Sequence, residues 1–229
     1  MNQQISIIIP VFNESQIIHS TIDYLYNLDF AGDFEIIVVD GNPAGTTINT
    51  ITNADVKKII GKKGRGSQMN QGAAVANGDV LLFLHADTLP SHDALDQIIA
   101  ATKQHNIMGG AFDLGIRSEK KIFRLIEIAA SMRSRLTRIP YGDQAIFLKK
   151  RFFDQIGGFK DIPIMEDVEL MQRVKKAGKK IKFIARKVQT AARRWEKEGI
   201  VYCTLRNWSL RTLYLLGVPP EKLKKFYSS

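Results

Sequence analysis

The chain is predicted to be an α/β protein with a mostly parallel central sheet flanked by helices. Three observations predict this. Short β-branched runs, suited to strands buried on both faces, alternate with stretches of helical apolar periodicity. That alternation builds βαβ units with right-handed crossovers. The 229 residues, 45% hydrophobic and 24% charged, can bury one sizeable core, which excludes disorder, a collagen-like chain and a simple coiled coil.

Ile5–Val11 (ISIIIPV) is the first buried strand. Glu14–Leu28 has Ile17, Ile18, Ile22, Leu25 and Leu28 at helical spacing. Phe34–Asp40 (FEIIVVD) is a second buried strand, Val56–Ile60 a short third and Val80–His85 (VLLFLH) a fourth. Ser67–Asn77 is Ala-rich and helical, with Gly78 as its C-terminal cap. Ser91 caps a helix through Ala101, with Asp93 in its first turn. The second half begins with a short strand, Gly109–Gly115, and a helix, Glu119–Leu136. Pro140–Leu148 and an Asp154–Phe159 segment stopped by Gly157-Gly158 follow. Glu166–Ala177 is a helix closed by Gly178. Lys180–Ala185 and Lys187–Ala192 are two strands, and Trp195–Leu216 is one long amphipathic helix. This half completes the sheet and supplies the far wall of a cleft.

The single cysteine, Cys203, excludes an intrachain disulfide and a Cys-rich zinc site, and a reducing compartment, the cytoplasm, is expected. The start, Met-Asn-Gln-Gln, lacks the basic region and cleavage site of a leader. No window offers about 18 uncharged apolar residues, so no membrane span is expected. The net charge of +10 is uneven: residues 171–229 carry 16 Lys/Arg and 3 Asp/Glu, a balance of +13. A basic C-terminal quarter suits an anionic neighbour or a solvated face.

In open sheets of this kind ligands bind beyond the C-terminal strand ends. Neither a P-loop nor a dinucleotide G-x-G-x-x-G is present. Asp40 ends the second strand, where its carboxylate suits a nucleobase or ribose contact, or a turn before Gly41. His85 and Asp87, two apart after the fourth strand, lie on one face if the strand continues. They suit Mg²⁺ or Mn²⁺ shared with a diphosphate, or a helix cap beside an incidental histidine. Glu166-Asp167 opens a helix, either as dipole-complementing acids or as a base for an acceptor hydroxyl. Gly142-Asp143-Gln144 adds an acid facing the cleft. Arg193-Arg194-Trp195 offers cations for a leaving diphosphate, or part of a solvated face.

Five strings, taken in order, resemble glycosyltransferase family 2 with its GT-A fold over nearly the whole chain. They are Ser6–Glu14 (SIIIPVFNE), Ile36–Gly41 (IIVVDG), Gly64–Ala73 (GRGSQMNQGA), Phe83–Asp87 (FLHAD) and Met165–Leu170 (MEDVEL). Within it, His85-Ala86-Asp87-Thr88, the Glu166-Asp167 pair and Ala192-Arg-Arg-Trp-Glu196 resemble a small bacterial branch, the selenodomain-associated or arsenosugar-type glycosyltransferases. The resemblance implies one GT-A-like domain over 1–229. Residues 1–115 would form the nucleotide-sugar-binding half, 116–197 the acceptor and catalytic half, and 198–229 a C-terminal amphipathic helix.

It further implies a nucleotide-sugar donor, most often a uridine diphosphate sugar, and inverting, metal-assisted transfer to an acceptor hydroxyl. Pro10, Phe12 and Glu14 would border the nucleotide and Asp40 would contact the base. Arg65 and the Gln68–Asn70 stretch would line the ribose–diphosphate side. Asp87, with His85, would hold the metal, and Asp167, beside Glu166, would be the base. Two departures stand out. His85 replaces the first acid of the usual D-x-D, and Gly41-Asn42-Pro43-Ala44 replaces an acidic turn after Asp40. The C-terminal helix suits a bilayer surface at the inner face of the membrane, a second subunit, or the core. Rival readings are a nucleotidyltransferase on a sugar phosphate, or a non-catalytic basic binding protein. Neither a recognition helix nor an aromatic RNA-binding signature appears, so nucleic acid is not the expected partner.

Overall fold

The computed structural model describes residues 4–227. Met1–Gln3, part of the leader reading, and the last two residues of the C-terminal segment lie outside the described residues. Eight strands form one sheet in the order β3-β2-β1-β4-β7-β6-β8-β5. They are β1 (Ile5–Val11), β2 (Phe34–Asp40), β3 (Lys57–Ile60), β4 (Val80–Phe83), β5 (Thr88–Leu89), β6 (Ile107–Arg117), β7 (Phe147–Lys149) and β8 (Lys180–Ala191). The four strands β3, β2, β1 and β4 are parallel neighbours. β7 runs antiparallel to both β4 and β6, and β6 and β8 are parallel again.

The β-branched runs are buried on both sides, as a covered parallel sheet requires. Ile5, Ile7, Ile9 and Val11 point into one apolar layer, and Ile8 into the opposite one. Helices α1 (Ser15–Tyr26) and α3 (Ala94–Thr102) cover the first face, and α2 (Arg65–Val75) and α6 (Glu166–Lys176) the second. The remaining helices are α4 (Ile122–Thr137), α5 (Lys150–Gln155), α7 (Arg193–Glu198), α8 (Ile200–Leu215) and α9 (Pro220–Lys224).

Several local expectations are corrected. Gly78 is not a helix cap: α2 ends at Val75, with Ala76 extended. A Cβ on Gly78 would lie 2.6 Å from Ser6 Oγ and 2.8 Å from the Gln4 carbonyl oxygen, so the glycine permits close approach to β1. Its N–H donates to Ser6 Oγ, which donates to Glu35. Ser91 does not cap α3 through its side chain. Its hydroxyl donates to the carboxylate of Asp93, the residue before the helix. The two strands expected after Gly178 are one strand, β8. Phe112 pairs Ile184 but Asp113 pairs Lys187, so Ala185 and Arg186 are accommodated as a bulge. The long C-terminal helix is broken at Gly199, whose φ of 91° and ψ of 132° leave the helical region. Beyond the break, Leu210 is buried with Ile164 and Leu223, while Val201, Leu205 and Trp208 are exposed. Among the described residues no helix is long and apolar enough to cross a membrane.

Two glycines of β6 lie close against the neighbouring strands. A Cβ at Gly110 would collide with the Lys182 carbonyl oxygen and lie 2.6 Å from Phe147 Cζ. Gly110→Ala should therefore lower stability by about 3 kcal/mol, the upper range for overpacking. A urea denaturation midpoint equal to the wild type would contradict this strand pairing.

Candidate active site

The C-terminal ends of β1 and β2 are tied together before any ligand is considered. Asp40 is fully buried. One carboxylate oxygen accepts the N–H of Asn42 (2.9 Å), and the other those of Thr47 (2.8 Å) and Ile48 (3.3 Å). In this structure the Asp40 carboxylate is turned into the loop and holds its shape, as many turn acids do. The same loop is bonded to the one after β1. Asn42 Nδ2 and Thr46 Oγ1 both donate to Asn13 Oδ1, and the Glu14 N–H donates to Thr47 Oγ1. Asn13 itself has a φ of 58°, a backbone state that asparagine tolerates better than most residues.

Gln68 and Asn70, expected to line the ribose–diphosphate side, are also occupied structurally. Gln68 is buried, and its amide donates to the carbonyls of Val11 (2.8 Å) and Val39 (2.7 Å). Asn70 exchanges two 2.8 Å bonds with the backbone of Phe159. Both side chains hold the walls of the crevice. Pro10 is half-buried at the end of β1, and Phe12 is exposed beyond it. The Lys63 ammonium stands 4.1 Å from the centre of the Phe12 ring.

The remaining site residues converge. β4 stops at Phe83, and residues 85–88 form a turn closed by the Thr88 N–H on the His85 carbonyl (3.1 Å). His85 and Asp87 therefore do not share a strand face. They nevertheless act on each other electrostatically. Arg193, the first residue of α7, donates to Asp87 Oδ2 at 2.9 Å and pairs with Glu14 Oε2 at 3.6 Å. One guanidinium thus joins the ends of β1 and β4 to the second half of the chain. Hydrogen bonding to Asp87 raises the Arg193 pKa. Burial raises that of Glu14, with Arg193 opposing the rise and Asp87 adding to it.

The opposite wall is built on Gly142. Its N–H donates to Asp167 Oδ2 (2.7 Å), while Asp167 Oδ1 accepts the Val168 N–H at the start of α6 (2.7 Å). A Cβ on Gly142 would lie 2.9 Å from His85 Nε2 and 3.6 Å from Asp167 Oδ2, so imidazole and carboxylate flank the same glycine. Each carboxylate oxygen keeps acceptor capacity beyond its one amide bond. Glu166 is buried next to Asp167, and burial, reinforced by the Asp167 charge, pushes its pKa up to about 7. Burial likewise lifts Asp143 to about 6, against the attraction of Arg133. His85 is pushed down to about 4, by burial first and then by Arg65, so the imidazole is neutral near pH 7.

Arg65 opens α2 and acts electrostatically on Glu14, His85, Asp143 and Glu166. Arg194 points the other way. It donates to Tyr227 Oη, stacks on that ring at 4.7 Å, and burial lowers its pKa. Among the described residues no three His, Cys, Asp or Glu side chains gather at metal-ligand spacing.

Sequence reasoning singled out Gln68 and Asn70 but not their backbone partners, because glutamine and asparagine give no local sign of which backbone they will meet. The Gly142 amide was also missed, although Gly142-Asp143-Gln144 drew attention to the segment.

Glu166 gives a pH test. Its folded pKa near 7 lies above the ordinary 4.5, so its contribution to stability is full below about pH 4.5 and is lost as pH rises through about 7. His85, lowered from 6.5 to about 4, works oppositely, losing stability as pH falls. The difference between Glu166→Gln and wild type isolates the glutamate. By chemical denaturation, the variant's stability relative to wild type should rise between about pH 5 and about pH 8. A flat difference would contradict the buried, reluctantly ionised Glu166.

Comparison with known proteins follows the same outline. The glycosyl transferase family 2 profile matches residues 6–160. The chain is 28% identical over 239 residues to the probable glycosyltransferase YdaM of Bacillus subtilis, covering 93% of this chain and 55% of that protein. It therefore spans about half the length of that relative. The mannosyltransferase PcManGT from Pyrobaculum calidifontis, solved with GDP-Man and Mn²⁺, superposes with a TM-score of 0.66 at 19% identity, covering 93% of this chain and 61% of that one. S. aureus TarS 1–349, solved with UDP-GlcNAc, gives 0.63 at 16% identity, covering 82% and 58%. These likenesses establish a GT-A-like fold.

Proposed function

The chain belongs to glycosyl transferase family 2, and from that premise we propose that it moves a sugar from a nucleoside diphosphate donor to an acceptor hydroxyl. The donor in this reading is a uridine diphosphate sugar, and the transfer is one inverting displacement. A single observation carries it: acids from both halves of the chain meet in one crevice, with Arg193 between Glu14 and Asp87 and Asp167 across Gly142 from His85.

The loops after β1 and β2 form the nucleotide end. Phe12 offers an apolar ring to the base, and the 41–47 loop, shaped by Asp40, offers backbone groups and Asn42. Arg65 and Arg193 supply positive charge to the departing diphosphate, which lowers the cost of the charge that develops as the bond breaks. Arg194 stands behind them, held against Tyr227, and acts at longer range.

A divalent cation fits this donor set. Asp87 is a hard oxygen ligand beside the neutral imidazole of His85, and few protein ligands leave room for diphosphate oxygens and water, the arrangement Mg²⁺ favours. Mg²⁺ or Mn²⁺ held there would neutralise the diphosphate. The Mn²⁺ in the structure of PcManGT supports that reading.

Asp167 takes the proton of the acceptor hydroxyl as the oxygen attacks the anomeric carbon from the face opposite the leaving group. Its amide bonds from Gly142 and Val168 aim it without filling both oxygens. Its negative charge also stabilises the oxocarbenium-like transition state, by analogy with glycoside hydrolysis. Glu166, buried and close to half-protonated near neutral pH, sits behind it and limits the charge that accumulates there.

Asp167→Asn should reduce turnover of the nucleotide sugar by about 10²–10⁴-fold, the usual worth of a general base, while leaving donor affinity nearly intact. Equal loss of turnover and affinity would assign the residue a structural role. Asp87→Ala should abolish the gain in donor affinity that Mn²⁺ confers, measured by calorimetric titration with and without the metal. Identical titrations for variant and wild type would reject Asp87 as a ligand.

A further inference from the structure

Next to Asp167 lies a group of polar side chains that the transfer reaction does not use. Arg133 on α4 stacks its guanidinium 3.4 Å from the centre of the Tyr141 ring, and Arg211 on α8 approaches the same ring at 5.9 Å. Two half-buried cations thus share one tyrosine and repel each other. Among the described residues neither has a carboxylate within ion-pair distance. Arg133 Nε, Arg211 Nε and Tyr141 Oη are all buried and, among the described residues, have no hydrogen-bond partner. Leaving such donors unpaired is costly, and more so when they are charged, so a fold that keeps three together is arranged for something else to meet them.

Helix α8 continues the pattern. Ile200, Thr204, Asn207, Arg211 and Tyr214 recur at helical spacing and form one inward stripe. Ile200 packs on the cluster of Phe123 and Trp195, and Tyr214 on that of Val168 and Met171, so the stripe faces the protein at both ends. Between those anchors it is polar, and Thr204 Oγ1 and Asn207 Oδ1 also lack partners. The helix therefore carries apolar side chains outside, at Val201, Leu205 and Trp208, and unsatisfied polar groups inside. The stripe leads to Tyr141, one residue before Gly142, and Asp143 and Asp167 act electrostatically on both Tyr141 and Arg133.

We propose that Arg133, Arg211 and the Tyr141 hydroxyl form an oxyanion subsite for a phosphate group on the acceptor. Two guanidinium groups and a hydroxyl match the donors a phosphate takes. Asp143 and Asp167 lie beyond ion-pair distance, on the side where the acceptor hydroxyl must be deprotonated. The role as acceptor subsite rests on the transferase reading above; the anion site itself does not.

The probe is inorganic phosphate, titrated calorimetrically into the full chain alone and again with saturating UDP. The expected result is phosphate binding in both titrations, weakened about tenfold or more in Arg211→Gln and Arg133→Gln, and less in Tyr141→Phe, with UDP affinity unchanged in all three. Arg211→Gln and Tyr141→Phe keep the test open if Arg133→Gln fails to fold. Arg151→Gln, at an exposed arginine on α5, should match wild type. Phosphate affinity indifferent to all three subsite variants, or absent, would overturn the proposal. UDP that does not bind, beside variant-sensitive phosphate, would instead count against the nucleotide-sugar reading. Sedimentation with phosphatidylglycerol and phosphatidylcholine vesicles distinguishes the source. Selective binding to the anionic vesicles, lost in Arg211→Gln, assigns a lipid headgroup; phosphate binding with equal, weak vesicle binding assigns a soluble phosphoester.

Discussion

Two carboxylates and one guanidinium hold the site together. Glu14 comes from the end of β1 and Asp87 from the turn after β4, and Arg193, in α7, meets both. Without that cation the two acids would oppose each other at the mouth of the crevice, and the second half of the chain would lose its charged tie to the first. The basic C-terminal quarter is explained in part by such ties. Arg186 pairs with Asp93, Lys187 with Glu127 and Arg193 with Asp87, so several of its cations answer acids contributed by earlier segments.

The same crevice separates groups that would otherwise titrate together. Burial drives His85 toward the neutral base and Glu166 toward the neutral acid, while Asp167 is fixed by amides from two segments. Environments that push neighbouring groups apart in this way let one site hold a neutral imidazole beside a reluctantly ionised acid at one pH. The cost is local: like charges and desolvated groups are concentrated where the backbone must hold them. This explains why amides such as the buried Gln68 and the half-buried Asn70 lock the surrounding loops to strand carbonyls and to Phe159.

The strands of the first half were legible because parallel strands covered on both faces leave an unmistakable continuous apolar run. β1 and β2 have the bounds that Ile5–Val11 and Phe34–Asp40 predict. The strand-end rule led to Glu14, Asp87 and the neighbourhood of Asp40. The errors came where a residue's role depends on a distant partner. Gly78 looks like a helix cap until Ser6 is seen against it. Asp40 gives no sign in the sequence of the 42–48 amides that close on it. Gly199 breaks the last helix with no proline to announce it. The polar inner stripe of α8 was invisible for the same reason: amphipathic spacing shows that two faces differ, and only packing against α4 and α6 shows which one is inside.

The central claim concerns where a nucleotide sugar lies, and a crystal structure with a uridine diphosphate sugar and Mn²⁺ tests it most directly. The account predicts the diphosphate against Arg193 and the Asp87 turn, with the sugar between His85 and the Asp167 carboxylate. A donor bound outside that crevice, or lying with its anomeric carbon turned away from Asp167, would contradict it.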